Sequence, residues 1–452
     1  MNRVDPRPHG WKTIPLRYVC QLNPSIAFDG FDCDDDLTFL PMERIKSGYF
    51  IPNTDKYSKY GSSYTAFEDG DIVLAKVTPC FENGNIAIAE HLVGGKGFGS
   101  SELFVIRPTT AERRFLFYYF QSTTFKQDGE ASMTGAGGLK RVSPDVLRQH
   151  RLPFPSQETQ RLIADYLDRE TARIDALIAE KEHMLALLEE KRAALISRVV
   201  TRGLDPTNSP VANLNAEGGP RGEGRDSPSS APLKPSGQEW LGEIPAHWRE
   251  IRMGHLVSLQ GGATPATTNE DFWEGKIPWA SPKDIKKPVL FDTIDHVSEQ
   301  ALVETNLSLI NSPALLLVVR GMILAKAIPT SLMVVPMTIN QDMKALRPIY
   351  VGISLEYLKL VFDGLQEPLS TLIEESAHGT RCLRTDMLTK FKIPVPPPEE
   401  QASIVKAARA DQIKADELRE NLRLSIALAK ERRAALITAA VTGQIPLEEM
   451  RA

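Results

Sequence analysis

Cysteine is scarce in this chain of 452 residues: Cys20, Cys33, Cys80 and Cys382 are all it has. No two form a Cys-x-x-Cys pair and no closely spaced histidine pair follows any of them. That argues against a structural zinc site and against a disulfide framework. The pattern points to reduced thiols in a cytoplasmic protein. Long hydrophobic runs are missing too. The longest, Ala314 to Val319, falls far short of the ~20 residues of a membrane span and reads as a buried strand. Met1 to Gly10 is polar and contains proline, without the apolar stretch of a secretory signal. Nor is there an excess of positive charge: 53 Lys and Arg against 58 Asp and Glu give a net charge of −5. This speaks against a generally basic nucleic-acid coat and leaves room for local basic surfaces.

The familiar catalytic signatures are absent as well. There is no Gly-x4-Gly-Lys-Ser/Thr loop; Gly135-Ala-Gly-Gly-Leu-Lys140 has the wrong spacing, and Gly95-Lys-Gly-Phe-Gly99 fails the dinucleotide pattern. No Asn/Asp-Pro-Pro-aromatic tetrapeptide and no Gly-x-Ser-x-Gly elbow occurs. His9, His91, His150, His183, His247, His255, His296 and His378 never take the spacing of a metal pair on a helix. The acidic cluster Asp32, Asp34, Asp35 and Asp36 reads as a solvated loop. The expectation is a chain with no catalytic residues, no metal and no cofactor of its own.

What is present is a repeat. Leu152-Pro-Phe-Pro-Ser-Gln-Glu-Thr-Gln160 matches Ile393-Pro-Val-Pro-Pro-Pro-Glu-Glu-Gln401 at an offset of 241 (160 to 401). The same offset, ungapped, places Arg192-Ala-Ala-Leu-Ile-Ser197 on Arg433-Ala-Ala-Leu-Ile-Thr438 and Val200-Thr201 on Val441-Thr442. Weaker matches extend upstream, from Gly138, Asp145 and Leu147 to Gly379, Asp386 and Leu388. Two anchors in unbroken register require one fixed length between them. A period this long means duplicated domains rather than a solenoid.

Each half is therefore a variable region followed by a uniform one. The variable regions read as mixed α/β (α+β): Asp71–Lys76, Glu102–Arg107 and Leu316–Arg320 as strands, Phe115–Phe120 and Leu355–Phe362 as short buried helices. The uniform regions read as long helices. Glu158 to Thr201 has no Pro or Gly, and apolar residues recur at Ile163, Leu167, Ile174, Leu177, Met184, Leu188 and Leu195. The second copy offers Ile404, Ala408, Ala415, Leu418, Leu422, Ala429 and Leu436, with polar interruptions expected at Glu170 and Asp411 and at Lys191 and Arg432. At 1.5 Å per residue each helix spans roughly 65 Å, more than one small domain covers. The two are expected to pair with each other or with helices of another subunit. The resulting division is 1–151 and 239–392 as globular domains, 152–203 and 393–443 as helices, and 204–238 as a Gly/Pro/Ser-rich flexible linker. A tail at 444–452 follows.

Candidate binding residues lie at matched places. Gly137-Gly-Leu-Lys-Arg-Val-Ser143 and Gly379-Thr-Arg-Cys-Leu-Arg-Thr385 precede the Pro-rich helix starts. Each combines glycines, basic side chains and a hydroxyl: Lys140, Arg141 and Ser143 in the first, Arg381, Arg384 and Thr385 in the second. Such groups suit phosphate or guanine contacts. Lys76, Ser281, Lys283, Asn340 and Gln341 are further candidates, Asn and Gln because they read adenine edges.

The ordered combination of these segments with Gln238-Glu-Trp-Leu-Gly-Glu-Ile-Pro-Ala-His-Trp248 resembles the specificity subunits of type I restriction–modification systems, over essentially the whole chain. The resemblance implies two target recognition domains, each reading one half of a bipartite, asymmetric double-stranded DNA site. It also implies an antiparallel coiled coil that fixes their spacing and docks two methyltransferase (modification) subunits, with two restriction/translocase subunits as further partners. S-adenosylmethionine, ATP and Mg²⁺ then belong to those partners, which methylate adenine at N6 and cut DNA. Two other readings stay open: a coiled-coil scaffold with peptide-binding domains, and a stand-alone nuclease.

Overall fold

A computed structural model of the protein describes residues 10–57, 64–136, 138–204, 232–311, 313–375 and 379–451. Most of the expected linker, at 205–231, lies outside the described residues, as do Gly137 and His378. Two compact units divide the chain: Met1–His183 with Leu422–Ala452, and Met184–Asn421. Each takes half of each long helix.

In the first unit the strands are β1 (Lys12–Pro15), β2 (Cys20–Leu22), β3 (Asp36–Leu40), β4 (Thr54–Lys56), β5 (Thr65–Glu68), β6 (Ile72–Ala75), β7 (Ile86–Ile88), β8 (Lys96–Gly99) and β9 (Leu103–Pro108). Helices α1 (Arg113–Gln121) and α2 (Thr123–Ala131), hairpin β10–β11 (Thr134–Ala136, Leu139–Arg141), α3 (Pro144–Gln149) and β12 (Arg151–Phe154) lead to the long α4 (Gln157–Arg202). Two four-stranded sheets form, in the orders β2-β9-β6-β7 and β4-β3-β8-β5, with β1 paired to β12. All four residues of β6 are buried, which explains their unbroken apolar run. The aromatic α1 sits on this core, its Phe115, Tyr119 and Phe120 fully enclosed.

The second unit repeats the plan. It runs β13 (Leu233–Pro235), β14 (Glu243–Pro245), β15 (Arg249–Arg252), α5 (Met253–Leu256), β16 (Val257–Gly261), β17 (Ile277–Ala280), β18 (Val289–Leu290), β19 (Asp295–Val297) and α6 (Glu299–Glu304). Then come β20 (Ala314–Val318), β21 (Thr330–Met333), β22 (Thr338–Ile339), β23 (Met343–Pro348), α7 (Leu355–Gly364), α8 (Gln366–Ser370), hairpin β24–β25 (Ile373–Glu375, Arg381–Leu383), α9 (Thr385–Lys390) and β26 (Lys392–Val395). The long α10 (Pro398–Val441) follows, and α11 (Leu447–Met450) returns to the first unit. A five-stranded sheet β16-β23-β20-β21-β18 corresponds to β2-β9-β6-β7, and β15 pairs with β26 as β1 does with β12. The mixed α/β architecture expected for both copies is present.

The long helices pair antiparallel. In the first unit Arg433 bonds Asp175 at 2.9 Å and Lys430 bonds Glu182 at 3.2 Å; in the second Arg419 pairs with Glu189. Each unit's core is sealed by the end of the helix that started in the other half of the sequence. Ile437, Ala440 and Val441 of α10 enter the first core with Met450, and Val199 and Val200 of α4 enter the second. The Arg-Ala-Ala-Leu-Ile repeat marks these two docking ends.

The inward stripe follows an alternating four-three step: Leu167, Thr171, Ile174, Ile178, Lys181, Leu185, Leu188, Arg192, Leu195 and Val199 on α4 are buried or half-buried. Adding 241 to each gives the half-buried or buried positions of α10, Ala408 to Ala440. Leu177, Met184 and Leu418, expected in the stripe, each stand one residue early. Leu177 is 44% exposed where Ile178 is 8%, and Leu418 is 45% exposed beside the half-buried Arg419. The expected polar interruptions shift likewise: Lys191, Asp411 and Arg432 are exposed, while Thr171, Gln412, Arg192 and Arg433 point inward. Lys181, Arg192, Arg419 and Arg433 fill inward slots with their aliphatic stems, and at 177/178 and 184/185 both neighbours are apolar, so composition alone does not set the phase. No helix among the described residues is long and apolar enough to cross a membrane.

Candidate nucleic-acid interface

In each unit the basic segment before the Pro-rich helix start folds as a hairpin laid across the end of the central buried strand. In the first, Val77 bridges Arg141, and the Val142 N–H donates to the Lys76 carbonyl at 2.8 Å. The Thr78 N–H donates to the Lys140 carbonyl at 3.0 Å, and the Thr78 hydroxyl accepts from the Lys140 N–H at 2.7 Å. In the second, Arg320 bridges Cys382, and the Leu383 N–H donates to the Val319 carbonyl at 2.8 Å. The Gly321 N–H donates to the Arg381 carbonyl at 3.0 Å. The two hairpins occupy one address in the fold.

Their side chains are unequally committed. Arg141 forks onto Glu102 at 2.8 and 2.7 Å. That hydrogen-bonded fork, with further help from Lys76, holds the Glu102 carboxyl below its ordinary range. Lys76 donates to the Ser101 carbonyl at 2.6 Å and lies 5.7 Å from the Phe104 ring centre. Lys140 is exposed, and its ammonium has no partner among the described residues. The Ser143 hydroxyl caps α3, accepting from the Asp145 N–H at 3.3 Å. In the second hairpin Arg381 faces Glu375 at 3.5 Å. Arg384 is held by Glu374 and Asp386, each at 2.8 Å, and holds the Asp386 carboxyl low. Thr385 opens α9 and is half-buried.

The structure adds one residue that the sequence reading passed over. Arg320 lies two residues beyond the fully buried β20, just after the buried Val319; it is exposed, and its guanidinium has no partner among the described residues. Lys76 directly follows β6, one residue earlier in the same bridge pattern. The available signal is a cation closing an apolar run, present at Arg320 after Ala314–Val319 as it is at Lys76 after Ile72–Ala75.

The remaining candidates gather where β17 and β22 run side by side in parallel, Ala280 beside Ile339. Ser281 and Asn340 continue these strands, and both are buried. The Ser281 N–H and hydroxyl both donate to Asp284 at 2.9 Å, and Asp284 also accepts from the Ile294 N–H at 2.9 Å. The Asn340 side-chain oxygen accepts from the Asp342 N–H at 3.1 Å. These two side chains shape turns and present little to a ligand. Lys283 pairs with Asp295, and exposed Gln341 accepts from the Thr264 hydroxyl. Among the described residues no group of three or more His, Cys, Asp or Glu side chains is placed to hold a metal ion.

Exposed cations on hairpins anchored to buried strands can grip phosphate or reach base edges. The sequence model described as "Type I restriction modification DNA specificity domain" matches residues 8–185 and 245–412. The type I restriction enzyme EcoEI specificity subunit of Escherichia coli is 28% identical over 329 residues, 59% of this chain and 54% of that protein. The EcoAI specificity subunit of Escherichia coli is 38% identical over 162 residues, 34% of this chain and 27% of that protein. The chain thus spans about half the length of the first relative and about a quarter of the second. A chain solved in work on complex assembly and conformational transition of the type I R-M system has the same fold. Its TM-score is 0.71 at 19% identity, covering 97% of this chain and 99% of that one.

Proposed function

Because the chain belongs to the type I restriction modification DNA specificity family, we propose that it is the sequence-reading subunit of a type I restriction–modification complex. Its two recognition domains read the two halves of a bipartite, asymmetric double-stranded DNA site, and the paired helices keep the halves at a fixed spacing. The chain itself catalyses nothing. Two modification subunits carry S-adenosylmethionine and methylate adenine at N6, and two restriction subunits use ATP and Mg²⁺; none of these groups is assigned to residues of this chain. Exposed apolar side chains on the long helices, such as Leu187 and Leu428, offer docking contacts for the partners. Action on DNA with these partners places the protein in the cytoplasm.

The observation that carries this reading is the duplicated hairpin address, with Lys140 in one copy and Arg320 in the other as exposed cations. Two similar but non-identical readers give two different half-sites. Lys140, Arg141, Lys76, Arg320, Arg381, Arg384 and Gln341 are proposed to face DNA. Those already paired with carboxylates exchange that partner for phosphate or stay as buttresses of the loop. The test is co-expression with a modification subunit followed by mapping of methylated adenines. A split motif with a constant gap is expected. Absence of sequence-dependent methylation, with the complex assembled, would sink the proposal.

A further inference from the structure

One patch beside the second hairpin is not explained by phosphate contacts. After Arg320 and Gly321 the chain makes a single tight turn, Met322–Ala325. Met322 is 67% exposed and Ile323 41% exposed, while Leu324 is 3% exposed and anchors the turn in the core. The turn is tied to the hairpin by the Gly321 N–H on the Arg381 carbonyl and closed by the Leu324 N–H on the Gly321 carbonyl at 3.2 Å. Two adjacent apolar side chains are thereby held in water on a fixed support. Arg320 on one side and Lys326 on the other are exposed, with no side-chain partner among the described residues. From Val319 to Pro329 there is no acidic residue.

We propose that Met322 and Ile323 read the C5 methyl group of a thymine in the major groove of the half-site contacted by the second recognition domain. This rests on the DNA-reading function proposed above and assigns a specificity determinant within it. A thymine methyl is the one apolar group that a base pair presents in the major groove, and it is recognised by apolar side chains. The flanking cations suit a polyanion and would set the register on phosphate. The equivalent turn of the first recognition domain carries no such pair: it begins Thr78-Pro79-Cys80, and the Thr78 hydroxyl is bonded to the Lys140 backbone. The difference gives the two halves different preferences.

The test uses the full chain assembled with its modification subunits, as wild type and as M322S/I323S. Both residues are exposed, so the variant should match the wild type in thermal midpoint and in yield of complex. Methylated adenines are mapped for each, and binding is then measured on duplexes carrying the mapped motif with each thymine in turn replaced by deoxyuridine. In the wild type, one replacement in one half-site should weaken binding about four-fold, the effect of withdrawing one methyl from burial. In the variant that replacement should change nothing, and the mapped motif should become degenerate at that position alone. A wild type indifferent to every replacement, or a variant that keeps the full sensitivity and motif, overturns the inference. Unchanged DNA behaviour with a lowered yield of complex also overturns it and assigns the patch to a protein partner. If the wild type methylates no split motif at all, the underlying function fails first and takes this inference with it.

Discussion

The side-chain carbonyl of Gln160 accepts a hydrogen bond from the backbone N–H of Glu112 at 2.8 Å. Glu112 is the N-cap of the buried helix α1, and the Gln160 amide donates in turn to the Pro155 carbonyl at 2.8 Å. Gln401 repeats the arrangement. It accepts from the N–H of Ser354, the cap of α7, at 3.0 Å and donates to the Pro396 carbonyl at 2.8 Å. The Pro-rich segment ending in Gln is thus a joint that fixes the start of each long helix to the first turn of a recognition-domain helix.

Replacing either Gln by Ala leaves the N–H of a half-buried residue and the carbonyl of a buried proline without these partners, a loss of about 1–3 kcal/mol for each group left unpaired. Amide hydrogen exchange should locate it. Gln160→Ala should lower protection in α1, and Gln401→Ala should lower it in α7. Unchanged protection in both variants would remove the joint from consideration.

The phase of the helical stripe is checked by a neighbouring pair. Ile178→Ala, at a buried slot, should cost about 2 kcal/mol or more, whereas Leu177→Ala, exposed, should stay within about 0.5 kcal/mol. Denaturant midpoints of the two variants decide it, and equal losses would restore the expectation read from the sequence.

Acid stability should depend on His150. Its ring is enclosed, with Nε2 2.7 Å from the Tyr119 hydroxyl and Nδ1 2.8 Å from Asp128. The geometry fits a neutral ring whose Nδ1–H donates to Asp128 while Nε2 accepts from Tyr119. Burial pushes its pKa below the ordinary 6.5, against the opposing pull of Asp128. The unfolded chain therefore takes up this proton first. The His150 contribution to stability falls as pH drops below 6.5 and levels off once the folded group also titrates. Thermal midpoints across this range should fall less steeply in His150→Gln than in the wild type.

The thiols should separate by reactivity. Cys20 is buried, and burial pushes its pKa up to about 12; Cys33 is exposed. At pH 8 an alkylating reagent should label Cys33 in the native protein and Cys20 only on unfolding. Mass spectrometry of the labelled chain reads the outcome.

For the proposed DNA contact, Lys140→Ala should weaken binding of the assembled complex across all sequences. It should also reduce the slope of log affinity against log salt by about one. An unchanged slope would place Lys140 away from phosphate.

The duplicated plan was legible because the offset of 241 survives without a gap wherever helix length is constrained. The strands at Ile72–Ala75 and Ala314–Val318 were legible because full burial on both faces leaves an unbroken apolar run. The fate of individual polar groups was not. Ser281 and Asn340 have the composition of base readers, yet their nearest partners are Asp284 and the Asp342 N–H, brought close by turns that no periodicity encodes. Arg141 and Arg384 are basic in the sequence but already hold carboxylates in the fold. Arg320 becomes a candidate only once β20 is seen to end beneath the hairpin.

The closing of the first core by α10 carries a consequence in time. Thr123 and Thr438 are hydrogen-bonded to each other although 315 residues separate them, and Ile437, Val441 and Met450 complete an interior that begins at Leu16. During synthesis at about 5–20 residues per second, the first recognition domain waits roughly 15–60 s for the segment that finishes it. Through that interval its aromatic helix α1 lacks part of its cover. The half of the protein made first is the half completed last.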